Sequence, residues 1–355
     1  MMTDLNIALQ DPEKGSGHEH DETSIEQRET AGLSQGQIVR KRFFRHKGAV
    51  ISIGVLSFVI LLAFTSVGIH LWGINTSGWW IWNWRQTPPL VNGGAPTLSL
   101  VPGPGFGIGE HPFGQDEIGH DIFALVMRGA QQSIMIMVLV GVVGTFVGVL
   151  IGALAGFYRG WLDSLLMRFT DVIITIPFIV VGAVIGAAAG ELGAAPLGLV
   201  IGLFAWTGLA RLVRGEFLSL REREFIDAAR VSGASDRRII FKHILPNAVG
   251  VIIVAATLLM AGAILGETAL SFLGFGVQSP DTSLGLIVAQ NQAAFGTRPW
   301  LFWWPGVFII VIALSVNFIG DGLRDAFDPR QKKMPSKRAL ERATARRARA
   351  AKSAG

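Results

Sequence analysis

The chain has 355 residues, with 31 Lys and Arg against 26 Asp and Glu, no Cys, and half of its residues apolar while only 16% are charged. Soluble domains carry about a quarter charged residues, so this balance points toward lipid. The lack of Cys excludes a disulfide framework, Cys-ligated zinc, iron–sulfur clusters and thiol catalysis.

In chain order, residues 1–38 are polar and acidic-leaning and predict a disordered tail. Residues 39–72 begin with "VRKRFFRHK", a basic amphipathic lead-in to the inner leaflet, followed by a first apolar span at Gly48–Trp72. A hydrocarbon core needs about 20 apolar residues, and this span starts too far in and runs too long to be a cleaved signal peptide. Residues 73–130 are rich in Pro and Gly and predict an extracytoplasmic segment. Their "GPGFGIG" (Gly103–Gly109) follows no strand, opens no helix and lacks a Lys-Ser/Thr ending, so it reads as a turn and not as a phosphate loop.

Five more spans are predicted at Ile134–Phe157, Val172–Ala189, Ala195–Leu212, Ala248–Gly266 and Leu301–Ile319, within a five-helix core at 131–330. Gly recurs every fourth residue at Gly144, Gly148, Gly152 and Gly156, at Gly182, Gly186 and Gly190, and at Gly198 and Gly202. That spacing makes a smooth helix face for a close interface, within the subunit or with a partner. Residues 331–355 predict a basic cytoplasmic tail, solvated or touching lipid.

Orientation follows from the bases. With the N-terminus inside, 28 of the 31 Lys and Arg fall in cytoplasmic segments or at the inner membrane edge (Arg211), leaving Arg85, Arg128 and Arg298 outside. Cytoplasmic retention of positive charge predicts six spans with both termini inside. The Trp clusters at Trp72–Trp84 and Trp300–Trp304 agree, reading as an interfacial belt. The net charge of +5 is thus topological, and nucleic-acid binding is not expected.

No Walker loop, His-Glu-x-x-His or Gly-x-Ser-x-Gly is present, and the seven His are scattered, so neither catalysis nor a metal cluster is expected. Glu267, at the outer end of the fifth span, and Asp121, beside His120 in the outer segment, are either translocation-path or gate residues or plain interfacial polar groups. Asp171 stands three residues after Arg168, a helical pair spacing; Asp321 and Asp325 flank Arg324 after the last span.

The longest cytoplasmic loop, 213–247, holds "EFIDAARVSGASDRRIIFKHILPN" (Glu224–Asn247). Its spacing predicts a short helix with Phe225, Ala228, Ala229 and Ser232 near one face, ended by Gly233 at C′ where positive φ is cheap. Ser235 caps a second short helix, and Pro246 marks the start of the fifth span. Such a hairpin either lies on the bilayer or forms a protruding knob that transmits force.

The order Asp227-Ala228-Ala229, then Gly233, then Leu245-Pro246 resembles the EAA loop of ABC importer permeases, Glu-Ala-Ala-x-x-x-Gly followed by Leu-Pro. "HILPN" is similar to the dipeptide/oligopeptide/nickel branch, although Asp227 and His243 depart from the broad consensus. "FGQDEIGHDIFALVMRGAQQSI" resembles the block before the family's second helix, with Gln115, His120 and Ala124 where Thr, Arg and Ser are usual. "GFYRGWLDSLLMRFTDVIITIPFIVV", "ETALSFLGFGVQSP" and "GDGLRDAFDPR" extend the likeness over about 40–330, toward the C-type member of a permease pair.

The resemblance implies an all-α membrane protein with the type I importer fold and no cofactor. Its partners would be a second homologous permease, two cytoplasmic ATPases, an external solute-binding protein and membrane lipid. The loop would be the coupling element that docks on an ATPase. Ala228 and Ala229 would allow close docking, Asp227 would pair with an ATPase base, and Gly233 would set the bend. Leu245 and Pro246, with His243, would join the knob to the fifth helix. Cargo is peptide, with nickel or glutathione as alternatives; an ATP-independent carrier and a membrane scaffold or enzyme are the readings from other classes.

Overall fold

The computed structural model describes residues 35–71, 74–99, 107–189 and 193–327. The tails at 1–34 and 328–355, Trp72, Gly190, most of "GPGFGIG" and the terminal Asp-Pro-Arg lie outside the described residues.

Among the described residues, four helices are long and apolar enough to cross a membrane: α2 (Lys47–Ser66), α3 (Ile122–Tyr158), α9 (Asp236–Phe272) and α11 (Trp300–Phe327). A short helix α1 (Gln35–Arg45) precedes α2, and α10 (Leu284–Asn291) lies between α9 and α11. The predicted third and fourth spans are each broken. α4 (Gly160–Thr175) and α5 (Phe178–Ala189) meet at 78°, and α6 (Ala194–Ala205) and α7 (Thr207–Arg221) at 44°. The first break has a local cause: Ile176, preceding Pro177, is pushed out of the helical region to φ −80°, ψ 119°. If each bent pair is one span, the spans number six. Apart from a two-residue antiparallel pair, β1 (His70–Leu71) with β2 (Ile74–Asn75), the described elements are helical.

α3 is the axis of the molecule, touching α2, α4, α6, α7, α9, α10 and α11. Its glycines are the reason it can. A Cβ at Gly148 would stand 2.7 Å from Leu209, and one at Gly156 would stand 2.7 Å from both the Arg214 carbonyl and Phe217. Gly202 of α6 returns the favour, with Val143 of α3 2.9 Å from where its Cβ would be. The four-residue stripes therefore close interfaces inside this subunit, where backbone approach replaces bulky packing.

The Trp clusters divide. Trp79 and Trp303 are exposed, as a belt requires, but Trp84 is buried and Trp304 stacks on Phe113 with centroids 3.8 Å apart. These inner rings pin the outer segment onto α11 and α3.

Candidate functional site

The loop at 213–247 forms one short helix and one extension. α8 (Glu224–Val231) ends in a Schellman arrangement: the Ala234 N–H donates to the Ala229 carbonyl and the Gly233 N–H to that of Arg230. Gly233 takes φ +78°, as its predicted place at C′ requires. The expected second short helix does not stand apart. Asp236 begins α9 itself, which runs unbroken through Pro246. Ile239–Ile244 widen into a π turn, and the Leu245 N–H reaches the Ile240 carbonyl. The wider turn just before Pro246 accommodates a ring that otherwise breaks a helix interior. His243 sits half-buried in this turn, with its carbonyl accepting from Asn247 Nδ2 at 2.6 Å.

The anchor of the knob is a residue the sequence pattern did not single out. Ile226, with no exposed surface, packs with Phe157, Val213, Phe217, Ile239, Ile244 and Ala248, drawn from α3, α7 and α9. Burying such a side chain is worth about 1.5–3 kcal/mol. With Ile226 turned in, Phe225, Asp227, Ala228 and Val231 face out, Val231 at 91% exposure, while Ala229 is half-buried. Asp227 is exposed, and its carboxylate lies 3.4 Å from Arg230. Half-buried Leu245 joins Ile226 in the same apolar cluster.

Arginines pair across the helices beside the knob. Arg214 makes a bidentate pair with Asp163 at 2.5 and 2.7 Å, and Arg159 pairs with Glu222 at 2.5 Å. Arg221 donates to the Phe157 carbonyl at the end of α3. Asp171 lies 2.5 Å from Arg211 of α7, closer than the 3.9 Å to Arg168 three residues before it. The contact that matters is thus between helices and not along one.

The two outer carboxylates singled out in the sequence are enclosed by protein. Asp121 caps α3, accepting from the Ala124 N–H at 2.8 Å and from Trp80 Nε1 at 3.0 Å, and lies 2.7 Å from His111 Nδ1. Burial pushes its carboxyl above the usual carboxylate range, against the pull of these three partners. Glu267, 1% exposed, accepts from Ser133 at 3.0 Å and Ser271 at 2.6 Å, and Ser271 bonds Ser283 in turn. His120 pairs with Asp116 at 2.7 Å, away from this cluster's partners.

Beside Glu267 lies a network that sequence reading missed. Arg128 grips Asp281 with two bonds of 2.8 Å, its side chain 5% exposed and that of Asp281 21%. It donates to Gln131 at 3.0 Å, and its guanidinium lies 4.8 Å from the Trp84 ring centre. Gln131 donates to the carbonyls of Ala63 and Gly68, both at 2.7 Å, and Gln132 donates to Asp281. The network ties α2, α3 and the segment before α10 into one outer layer. Arg128 and Asp281 are 153 positions apart, and the only local signal was an arginine outside the cytoplasmic segments.

A bundle with four to six apolar helices able to cross a membrane among the described residues, and a polar knob at one end, has the form of a multi-pass membrane protein. Residues 148–333 match the family described as binding-protein-dependent transport system inner membrane component, and residues 34–74 match the N-terminal TM domain of oligopeptide transport permease C. The oligopeptide transport system permease protein OppC of Mycobacterium tuberculosis (strain ATCC 25618 / H37Rv) is 36% identical over 84% of this chain and 96% of its own length. OppC of Escherichia coli (strain K12) is 35% identical over 88% of this chain and 96% of its own. A solved chain of the inward-facing MetNI methionine ABC transporter superposes with a TM-score of 0.48 at 22% identity, covering 57% of this chain and 96% of that one. The chain belongs to the family of inner-membrane components of binding-protein-dependent transport systems, the permease subunits of ABC importers, and is a multi-pass membrane protein.

Proposed function

We propose that this chain is one half of the translocation path of a peptide ABC importer, a non-catalytic subunit moved by ATP hydrolysis in its partners. The observation that carries the reading is the knob: α8 is anchored by buried Ile226 while Asp227, Ala228 and Val231 face out. A rigid lever with an exposed tip suits docking into an ATPase, whose closure biases the permease between two states. Leu245 of α9 packs in the same cluster as Ile226, and α9 runs unbroken past His243 and Pro246, so a push on α8 bears on a whole span. The partners are a second, homologous permease, two cytoplasmic ATPases and an external solute-binding protein. Both termini are cytoplasmic, in keeping with the charge asymmetry. Residues 39–72 and 73–130 are then the entry span and outer segment ahead of the core at 131–330. Glu267 and Asp121 belong to the outer gate, bracing its walls from within.

The test is co-purification and uptake. Tagged chain from its native membrane should bring down two ATPases, and a knockout strain should lose labelled-peptide uptake that unlabelled peptide, and neither nickel nor glutathione, competes away. Recovery of the chain without any ATPase, or uptake that persists after ATP depletion, sinks the reading. Because the chain has no Cys, single Cys residues at Gln37 and Trp79 report orientation by reaction with membrane-impermeant maleimide. Only the second should react from outside intact cells.

A further inference from the structure

We propose that α1 carries a binding face for anionic lipid headgroups, built from Arg40, Lys41, Phe44 and Arg45 and clamped to the cytoplasmic end of α11. The inference rests on the cytoplasmic placement of the N-terminus. At 3.6 residues per turn Lys41, Phe44 and Arg45 lie on the side of α1 away from Val39 and Phe43, with Arg40 on its flank. All four are exposed, Phe44 at 64%, whereas Phe43 is buried against Ala49 and Ala326 and Val39 packs beside it. The clamp is tight: a Cβ at Gly322 of α11 would collide with Ala49 and lie 3.4 Å from Phe43 and from His46. His46 caps α2 through Nδ1, accepting from the Ala49 N–H at 3.0 Å, and its Nε2 lies 3.6 Å from Asp325.

Geometry selects lipid over a protein partner. α1 ends at Arg45 and α2 begins at Lys47, and within one turn α2 shows exposed Val50 and Ile51, which belong in hydrocarbon. An 11-residue helix is about 16 Å long, so its basic face is tethered within reach of the headgroups, and Arg45 lies inside a Debye length of about 8 Å. An aromatic set among cations on a tethered helix matches an interfacial anchor, where the ring enters the acyl boundary and the charges meet phosphate. A purely electrostatic docking surface would gain nothing from exposing Phe44.

The full complex is reconstituted in phosphatidylcholine vesicles with or without phosphatidylglycerol, carrying an environment-sensitive fluorophore on Gln37→Cys, on the same face. With phosphatidylglycerol the emission should shift blue and be quenched by spin-labelled lipid, and added salt should reverse both. Each charge removed should weaken the preference for phosphatidylglycerol about fivefold, so the combined R40Q/K41Q/R45Q variant should abolish it. Thermal unfolding matched to the parent chain shows that the variant is intact, so that a lost preference reads the charges and not the fold. Equal emission in both vesicles, or a preference untouched by the triple variant, overturns the proposal. So does a shift that requires the ATPases and not phosphatidylglycerol, which would assign the face to protein. Maleimide labelling from outside the cell at Gln37→Cys would instead overturn the topology, a separable failure.

Discussion

The two ends of α3 handle charge in opposite ways. At the Tyr158 end, Arg159, Arg211 and Asp227 pair near the surface, where ion pairs are weak, salt-sensitive and readily remade. At the outer end, Arg128, Asp281 and Glu267 are taken out of water and satisfied by fixed donors and acceptors from α2, α3, α9 and the segment before α10. A buried pair of this kind contributes little net stability over an apolar replacement, but breaking it is costly, because one partner is left uncompensated. The difference suits two tasks. The inner end keeps an exposed tip for reversible contact, and the outer end holds one arrangement of three helices until something large enough pulls them apart.

The sharpest break falls on the outer pair. Arg128→Ala should destabilise the protein by about 3–5 kcal/mol, by stranding Asp281 and removing the support of Trp84 and Gln131. Thermal unfolding in detergent measures it, and the double variant with Asp281→Ala should recover much of the loss if the two act as a unit. Strict additivity would mean that the pair is incidental. Next comes Ile226→Ala, at about 2–3 kcal/mol, the low end for such truncations because an eight-residue helix can relax onto the gap. Its signature is local: amide exchange should rise in α8 while α3 stays protected, and ATPase co-purification should fall. Protection lost evenly along the chain would show that the knob is not a separate lever.

Gly233→Ala should cost less, about 1–2 kcal/mol. The space around Gly233 is open, so the whole penalty is the +78° backbone and none of it is collision. This was also the part of the site most legible in the sequence, because a helix stop depends on a few adjacent residues. What failed to show was whatever depends on distant partners or on a wider turn. Pro246 read as a boundary because a proline normally breaks a helix, yet the π turn at Ile239–Ile244 carries α9 through it. Pro177, inside a predicted span, had the opposite fate, and the chain bends by 78° there. Arg128 was counted only by its side of the membrane, since nothing near it in sequence names Asp281. Glu267 invited a reading from its depth alone, and the three serines that enclose its surroundings come from two other stretches as well as its own helix.

The smallest expected change in stability is also the most informative. Asp227 is 66% exposed and its ion-pair partner, Arg230, stands at 3.4 Å and is itself exposed, so the pair is worth at most about 0.5 kcal/mol. Asp227→Lys should therefore leave unfolding unchanged within that margin, and Asp227→Glu, which keeps the charge, should be silent in every respect. If α8 meets an ATPase through this tip, the Lys variant nevertheless places a like charge against the base that Asp227 pairs with, and such a juxtaposition costs several kcal/mol at an interface. Uptake and ATPase co-purification should then collapse in a chain that folds as well as the parent. A Lys variant that keeps both would detach function from this carboxylate, and the exposed apolar residues Phe225 and Val231 would have to hold the contact alone.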